Sequence, residues 1–113
     1  MIICCINDRI WRIVFVPSES SYLARSDGSF TIGCADNKMQ SVFVSEDVDG
    51  ILVDKVICHE LVHVYSFSYN LYIPIETEEI IADFLATYGR DIFLTADKII
   101  SEIVSRNVLN KYA

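Results

Sequence analysis

The chain has 113 residues, of which 52% are hydrophobic and 22% charged, so a disordered or low-complexity chain is excluded and one domain over residues 1–113 is expected. Nine lysines and arginines against sixteen aspartates and glutamates give a formal charge of −7. Because no excess of cations is available to neutralise phosphates, this charge argues against DNA or RNA as a direct ligand.

We expect neither a signal peptide nor a membrane-spanning segment in this chain. The apolar run Met1–Ile6 is too short for the core of a signal peptide, and no stretch reaches the roughly 20 apolar residues of a membrane span. We therefore expect a cytoplasmic protein. The cysteines lack paired CxxC spacing, so we expect reduced thiols at Cys4, Cys5, Cys34 and Cys58.

The first 45 residues favour β-strands. Runs of β-branched and aromatic residues predict strands at Ile10–Val16, Ser29–Cys34 and Ser41–Val44. Proline, glycine, aspartate and asparagine residues separate these runs and favour tight turns. Such short connections predict a small, mostly antiparallel sheet.

Three helices are predicted after the strands. Helical spacing of apolar residues predicts the first from Asp49 to about Ser68, with the helix that carries the site at the centre of the fold. The second is expected to follow a Thr77 cap and to end at Gly89, and the third to run from Thr95 to Asn110. Strands followed by helices indicate an α+β fold. Core positions are expected at Trp11, Phe15 and along Ile99–Leu109.

The first predicted helix contains the motif HExxH, in the segment His59-Glu60-Leu61-Val62-His63. Four residues are just over one helical turn, so His59 and His63 share a face and can both direct a ring nitrogen at one metal ion. Glu60 lies beside them, where its carboxylate can reach a water held by that ion and act as a general base.

Two histidines leave a tetrahedral ion short of a protein ligand, and the chain has no third histidine. On the second predicted helix, Glu79 and Asp83 are four residues apart and share a face. Glu79 is expected to complete the site, while Asp83 accepts a hydrogen bond from the other nitrogen of a ligand histidine. Alternative ligands are Glu78, Glu76, Cys34 and Cys58. In the purely structural interpretation, the glutamates favour the helix N-terminus and Asp83 lies on a solvated face.

The HExxH motif followed by Glu79 and Asp83 resembles the gluzincin metallopeptidases. The short spacing and the segment Glu78-Glu79-Ile80-Ile81-Ala82-Asp83-Phe84-Leu85-Ala86 resemble most the small ImmA/IrrE-type proteins and related phage-encoded peptidases. The similarity covers roughly residues 30 to 90, and it implies a minimal zincin-like metallopeptidase domain that uses Zn²⁺. By that resemblance His59, His63 and Glu79 are zinc ligands, Glu60 is the catalytic base and Asp83 is the partner of His59.

The resemblance also implies a peptide substrate. It makes Ser41–Val44 the sheet edge along which an extended substrate lies, and it implies a specific regulatory protein, such as a transcriptional repressor, as the protein that is cleaved. No histidine remains to stabilise the oxyanion, so a tyrosine is expected to do so, the candidates being Tyr65, Tyr69, Tyr72 and Tyr88.

Two other functions are compatible with the sequence. The chain could be a non-catalytic interaction module that zinc stabilises, with a partner capping the open coordination position. It could also be a metal-dependent hydrolase of a non-peptide amide. Because a structural zinc site is usually closed by four protein ligands, two histidines and one glutamate favour catalysis.

Overall fold

The computed structural model describes residues 1–106 and confirms an α+β fold. Four strands come first, with a short 3₁₀ turn at Ser21–Leu23, and two helices follow. The elements are β1 (Ile2–Ile6), β2 (Arg9–Val16), β3 (Gly33–Asp36), β4 (Ser41–Ser45), α1 (Gly50–Ser68) and α2 (Ile75–Ser105).

The four strands form one mixed sheet in the order β1-β2-β4-β3. β1 and β3 each pair antiparallel with a neighbour, but β2 and β4 are parallel, with Phe15 opposite Val44. The expectation of a mostly antiparallel sheet therefore needs correction. The long connection between β2 and β3 carries the chain to the outer edge, so the β3–β4 hairpin returns with β4 beside β2 in the same direction.

The first strand was not predicted from the sequence. Asn7 and Asp8 both have positive φ angles, 49° and 63°, and they form a two-residue loop that joins β1 to β2. Asparagine and aspartate tolerate this left-handed conformation better than most residues, which suits the tight turn of a hairpin. The apolar run Met1–Ile6 followed by Asn7-Asp8 is the sequence pattern that could have predicted β1 and its turn.

The core lies between the sheet and α1. Trp11 is fully buried, as expected, and its indole nitrogen donates a hydrogen bond of 2.9 Å to the hydroxyl of Ser68 at the end of α1. Every residue of β4 is buried. The expectation that Phe15 is buried is wrong, because this residue lies near the end of β2 and is 44% exposed.

The first predicted helix corresponds to α1, but the second and third are a single helix, so the prediction of three helices is wrong. α2 begins at Ile75, after Pro74 and before the expected cap Thr77, and it continues through Gly89 to Ser105. A glycine inside a helix costs only about 1 kcal/mol relative to alanine, and no proline interrupts this segment. The end of the predicted third helix, residues 107–110, lies outside the described residues.

The order of layers is sheet, α1 and α2. α1 packs against the sheet on one side and against α2 on the other, so it is the central helix of the fold. Within residues 1–106, neither helix combines the length and the apolar character that crossing a membrane requires.

Candidate metal centre

α1 and α2 bring together the three side chains that the sequence indicated as metal ligands. The Nε2 atoms of His59 and His63 are 3.4 Å apart. The carboxylate of Glu79 contacts both rings, with Oε2 at 3.2 Å from His59 Nε2 and Oε1 at 2.7 Å from His63 Nε2. The ligand atoms of all three residues lie within 4.8 Å of one another.

A tight loop between the helices produces this convergence. Asn70 and Tyr72 have positive φ angles of 52° and 55°, and Pro74 precedes the first residue of α2. The chain therefore reverses within six residues, and α2 runs back along α1 from its start. Glu79 lies just over one turn into α2, which places it opposite the histidine face of α1.

The Nδ1 atom of each histidine, on the side of the ring away from the ligand cluster, contacts a carboxylate. The Nδ1 atom of His59 lies 2.9 Å from Oδ1 of Asp83. The Nδ1 atom of His63 contacts Oε1 of Glu78, and the hydroxyl of Ser66 donates a 2.6 Å hydrogen bond to Oε2 of the same carboxylate. Such partners fix the tautomer and the orientation of a ligand histidine.

The sequence indicates Glu78 as an alternative ligand or as a residue that favours the helix N-terminus, and in the structure it contacts His63. Its side chain is buried, at 5% exposure, behind His63 rather than beside Glu79. Ser66 follows His63 by three residues on the same face of α1, so one carboxylate can bind both. The three-residue spacing of His63 and Ser66 is therefore the feature of the sequence that could have indicated the position of Glu78. Within the described residues the ligand cluster includes none of Glu76, Glu78, Cys34 and Cys58.

The donor set fits a divalent cation. With each Nδ1–H donated to a carboxylate, the unprotonated Nε2 atoms and the Glu79 carboxylate are three acceptors that face one another. Such an arrangement is repulsive unless a proton or a cation lies between them. Tetrahedral Zn²⁺ with bonds of about 2.05 Å separates two ligand nitrogens by roughly 3.3 Å, close to the 3.4 Å observed.

Glu60 lies beside the ligands without joining them. It is 7% exposed, and its Oε2 atom is 3.9 Å from His59 Nε2. Burial raises the pKa of its carboxyl group, and Glu79 raises it further, while the two histidines and a hydrogen bond from the backbone of Ala35 act in the opposite direction. This carboxylate is thus held between α1 and β3 and has a raised affinity for a proton.

A cleft of about 670 Å³ opens over the cluster. Its walls are the edge strand β3, the histidine face of α1 and the first turns of α2. The expectation that Ser41–Val44 forms the sheet edge is wrong, because β4 lies between β2 and β3 and is buried along its length. β3 is the edge strand beside the site.

Among the described tyrosines, only Tyr22 lines the cleft, where its ring stacks on Phe43 at 4.3 Å. The four tyrosines considered for oxyanion stabilisation lie outside the lining of the cleft, and two of them stack on each other at 6.0 Å. These four are Tyr65, Tyr69, Tyr72 and Tyr88.

Comparison with protein-family models, with curated proteins and with solved structures gives no match for this chain. The interpretation of the centre therefore depends on its own geometry: three convergent metal-ligating atoms, an adjacent buried carboxylate and an open cleft.

Proposed function

We propose that this chain is a zinc-dependent metallopeptidase of the gluzincin type. The observation that carries the proposal is the convergence of His59, His63 and Glu79 on one point beside the buried carboxylate of Glu60. Two histidines and one carboxylate are a common ligand set of catalytic zinc, and they leave one of four positions for water or substrate.

Zinc bound by these residues would polarise the scissile carbonyl as a Lewis acid and lower the pKa of a water molecule. Glu60 is placed to accept a proton from the attacking water and to pass it to the leaving amine. Asp83 and Glu78 hold the histidines in the tautomer whose Nε2 lone pairs face the ion.

The substrate is proposed to be an extended peptide segment. β3 pairs with β4 on one side only, and its residues 33–35 border the cleft beside the histidines. A peptide can add to such an edge through main-chain hydrogen bonds, which places a scissile bond over the metal ligands. The resemblance to ImmA/IrrE-type proteins supports a regulatory protein, such as a transcriptional repressor, as the natural substrate.

A non-catalytic interaction module is the second candidate. The observation that favours it is the exposed apolar surface on the second half of α2, which is remote from the ligand cluster. In that case zinc would stabilise the α1–α2 pair, and no bond would be cleaved.

The decisive experiment measures zinc content and peptide cleavage on the same preparations. Glu60→Gln should retain about one zinc per chain and lose cleavage of a proteome-derived peptide library by a factor of about 10² or more. Glu46→Gln is the control, because Glu46 is an exposed carboxylate outside the cleft. Cleavage by Glu60→Gln at the unsubstituted rate would overturn the proposal, and zinc binding with no cleavage by the unsubstituted chain would favour the interaction module.

A further inference from the structure

The second half of α2 extends away from the rest of the fold. Every residue from Arg90 to Arg106 is exposed except the partly buried Ile103, and the molecule measures 57 Å along its longest axis but only 30 and 28 Å across. We call residues 90–106 the distal segment. At its start Arg90 forms an ion pair with Asp54 of α1, but its side chain remains 76% exposed.

One face of the distal segment is apolar. Positions 92, 96, 99 and 103 alternate in steps of four and three residues, which is the spacing of a seam between two paired helices. Two further apolar side chains widen this seam on one flank. We call the six residues the apolar stripe: Ile92, Phe93, Ala96, Ile99, Ile100 and Ile103. Of the six charged residues, those at positions 90, 91, 97 and 98 lie on the other faces of the helix, Glu102 flanks the seam, and Arg106 continues the seam's spacing beyond Ile103.

We propose that the apolar stripe is the interface of a homodimer, in which the α2 helices of two copies pair antiparallel. The two-fold axis would pass between positions 97 and 98. Ile92 then lies opposite Ile103 of the second copy, and Ala96 lies opposite Ile99. This inference does not depend on the proposed enzymatic activity.

The stripe is complementary to itself in this arrangement. At both central positions of the interface, the small Ala96 of one copy faces the large Ile99 of the other copy. Such pairing of a small with a large side chain lets the helices approach closely. On one flank Phe93 faces Ile100 of the other copy, and both are apolar. On the other flank Thr95 faces Glu102, and both are polar. The partner that fits this face is therefore a second copy of the same face.

The distribution of charge supports association through this segment. Three cations and three anions balance within the distal segment: Arg90, Lys98 and Arg106 against Asp91, Asp97 and Glu102. The remaining six cations and thirteen anions carry the whole formal charge of −7. Two copies that meet through their distal segments thus keep their acidic parts apart. The same neutrality disfavours an anionic membrane, which attracts basic helices.

The exposed area is sufficient for a reversible dimer. Ile92, Phe93, Ile99 and Ile100 are between 42% and 62% exposed, Ala96 is exposed and Ile103 is partly exposed. Together they offer roughly 500 Å² of apolar surface per copy, so that a dimer would bury roughly 1,000 Å² in total, near the lower limit for specific interfaces. We therefore expect the dimer population to rise with concentration.

Sedimentation equilibrium of the full chain over a concentration series tests the proposal. The unsubstituted chain should dimerise, and Ile99→Glu should be monomeric because it would bury an unpaired charge at the centre of the interface. Leu94→Glu is the matched control: it adds the same charge at a residue that is 60% exposed on the opposite face, and it should leave the dimer intact. Zinc content and the thermal transition of both variants show that they are folded.

The antiparallel register has its own test. In a mixture of differently tagged Ile92→Cys and Ile103→Cys chains, oxidation should give the cross-linked heterodimer in preference to either homodimer. Oxidation of the unsubstituted chain gives the background from the four native cysteines. A monomer at all concentrations, equal loss of the dimer in the two glutamate variants, or preferential cross-linking of Ile92→Cys chains to each other would overturn the proposal.

Discussion

One of the two buried carboxylates among the described residues, Glu60, gives the metal-free protein a specific pH dependence. Its folded-state pKa is raised above the ordinary value of 4.5, chiefly by burial, so the folded chain binds its proton more tightly than the unfolded chain does. The stabilising contribution is complete below pH 4.5 and is lost as the pH rises through the raised pKa.

We therefore predict that metal-free Glu60→Gln is more stable than the unsubstituted metal-free chain at neutral pH. The difference in the free energy of unfolding should shrink as the pH falls toward 4.5, because the protonated carboxyl and the amide are then equally neutral. Denaturant titrations with a chelator present measure this difference. Glu46→Gln, at an exposed carboxylate, should show no such trend, and a difference that grows toward acid would contradict the assigned shift.

The two carboxylates behind the histidines should differ in their effect on zinc affinity. Glu78 is buried and bonds to both His63 and Ser66, whereas the side chain of Asp83 is 76% exposed and bonds to His59 alone. We predict that Glu78→Gln weakens zinc binding by about 10–100-fold and Asp83→Asn by less, because water can replace an exposed partner. Competition with a chromogenic chelator measures both affinities, and the reverse order would contradict this assignment.

The proximity of His59 and His63 could be predicted from the sequence because their spacing is local. His59 and His63 are one turn apart on a helix, and that distance needs no tertiary information. The choice between Glu78 and Glu79 did not follow, because adjacent helical residues point about 100° apart and the direction of each depends on how α2 crosses α1. In the structure Glu79 lies in the ligand cluster, whereas Glu78 contacts the Nδ1 atom of His63.

At the scale of elements, β3 and α1 approach closely at a glycine. A Cβ atom on Gly33 would lie 2.6 Å from a methyl carbon of Val56 and 3.3 Å from Cγ of Glu60. We predict that Gly33→Ala lowers the free energy of unfolding by about 1–3 kcal/mol, because β3 or α1 must shift to relieve the contact. Glu60 would shift with them, so cleavage should fall while the zinc ligands of α1 and α2 remain.

Gly89→Ala is the matched control for Gly33→Ala. A Cβ atom at Gly89 would make only an ordinary contact of 3.6 Å with Leu85, and alanine favours a helix interior by about 1 kcal/mol. Denaturant unfolding should therefore show opposite signs for the two substitutions. Destabilisation by Gly89→Ala would contradict a continuous α2.

Predictions from sequence succeeded where an element has a strong local pattern and failed where long-range pairing decides. Ile10–Val16, Ser41–Val44 and α1 have such patterns, and each corresponds to an observed element. The second predicted strand, Ser29–Cys34, overlaps the observed β3 at Gly33–Asp36 by only two residues. The parallel pairing of β2 with β4 could not be inferred, because it depends on the path of the whole β2–β3 connection.

At the scale of the whole molecule, the ligand cluster connects α2 to the rest of the fold. At a free zinc concentration one hundred times the dissociation constant, zinc binding should stabilise the folded chain by about 2.7 kcal/mol. Removing the zinc should therefore lower the melting temperature by about 10–20 °C. Thermal unfolding with and without a chelator measures this shift. His63→Ala should be insensitive to the chelator, and an unsubstituted chain that is equally insensitive would contradict a zinc site between the helices.

The continuity of α2 has a mechanical consequence. A helix of 31 residues is about 46 Å long, and Glu79, the candidate metal ligand, lies near one end of it. A tilt of about 5° at that end would move the opposite tip by roughly 3–4 Å, which follows from the length of the rod alone. A small change in the tilt of α2 at the candidate metal site would thus become a larger displacement at the other end of the helix. A distance probe attached there would detect whether metal binding tilts α2.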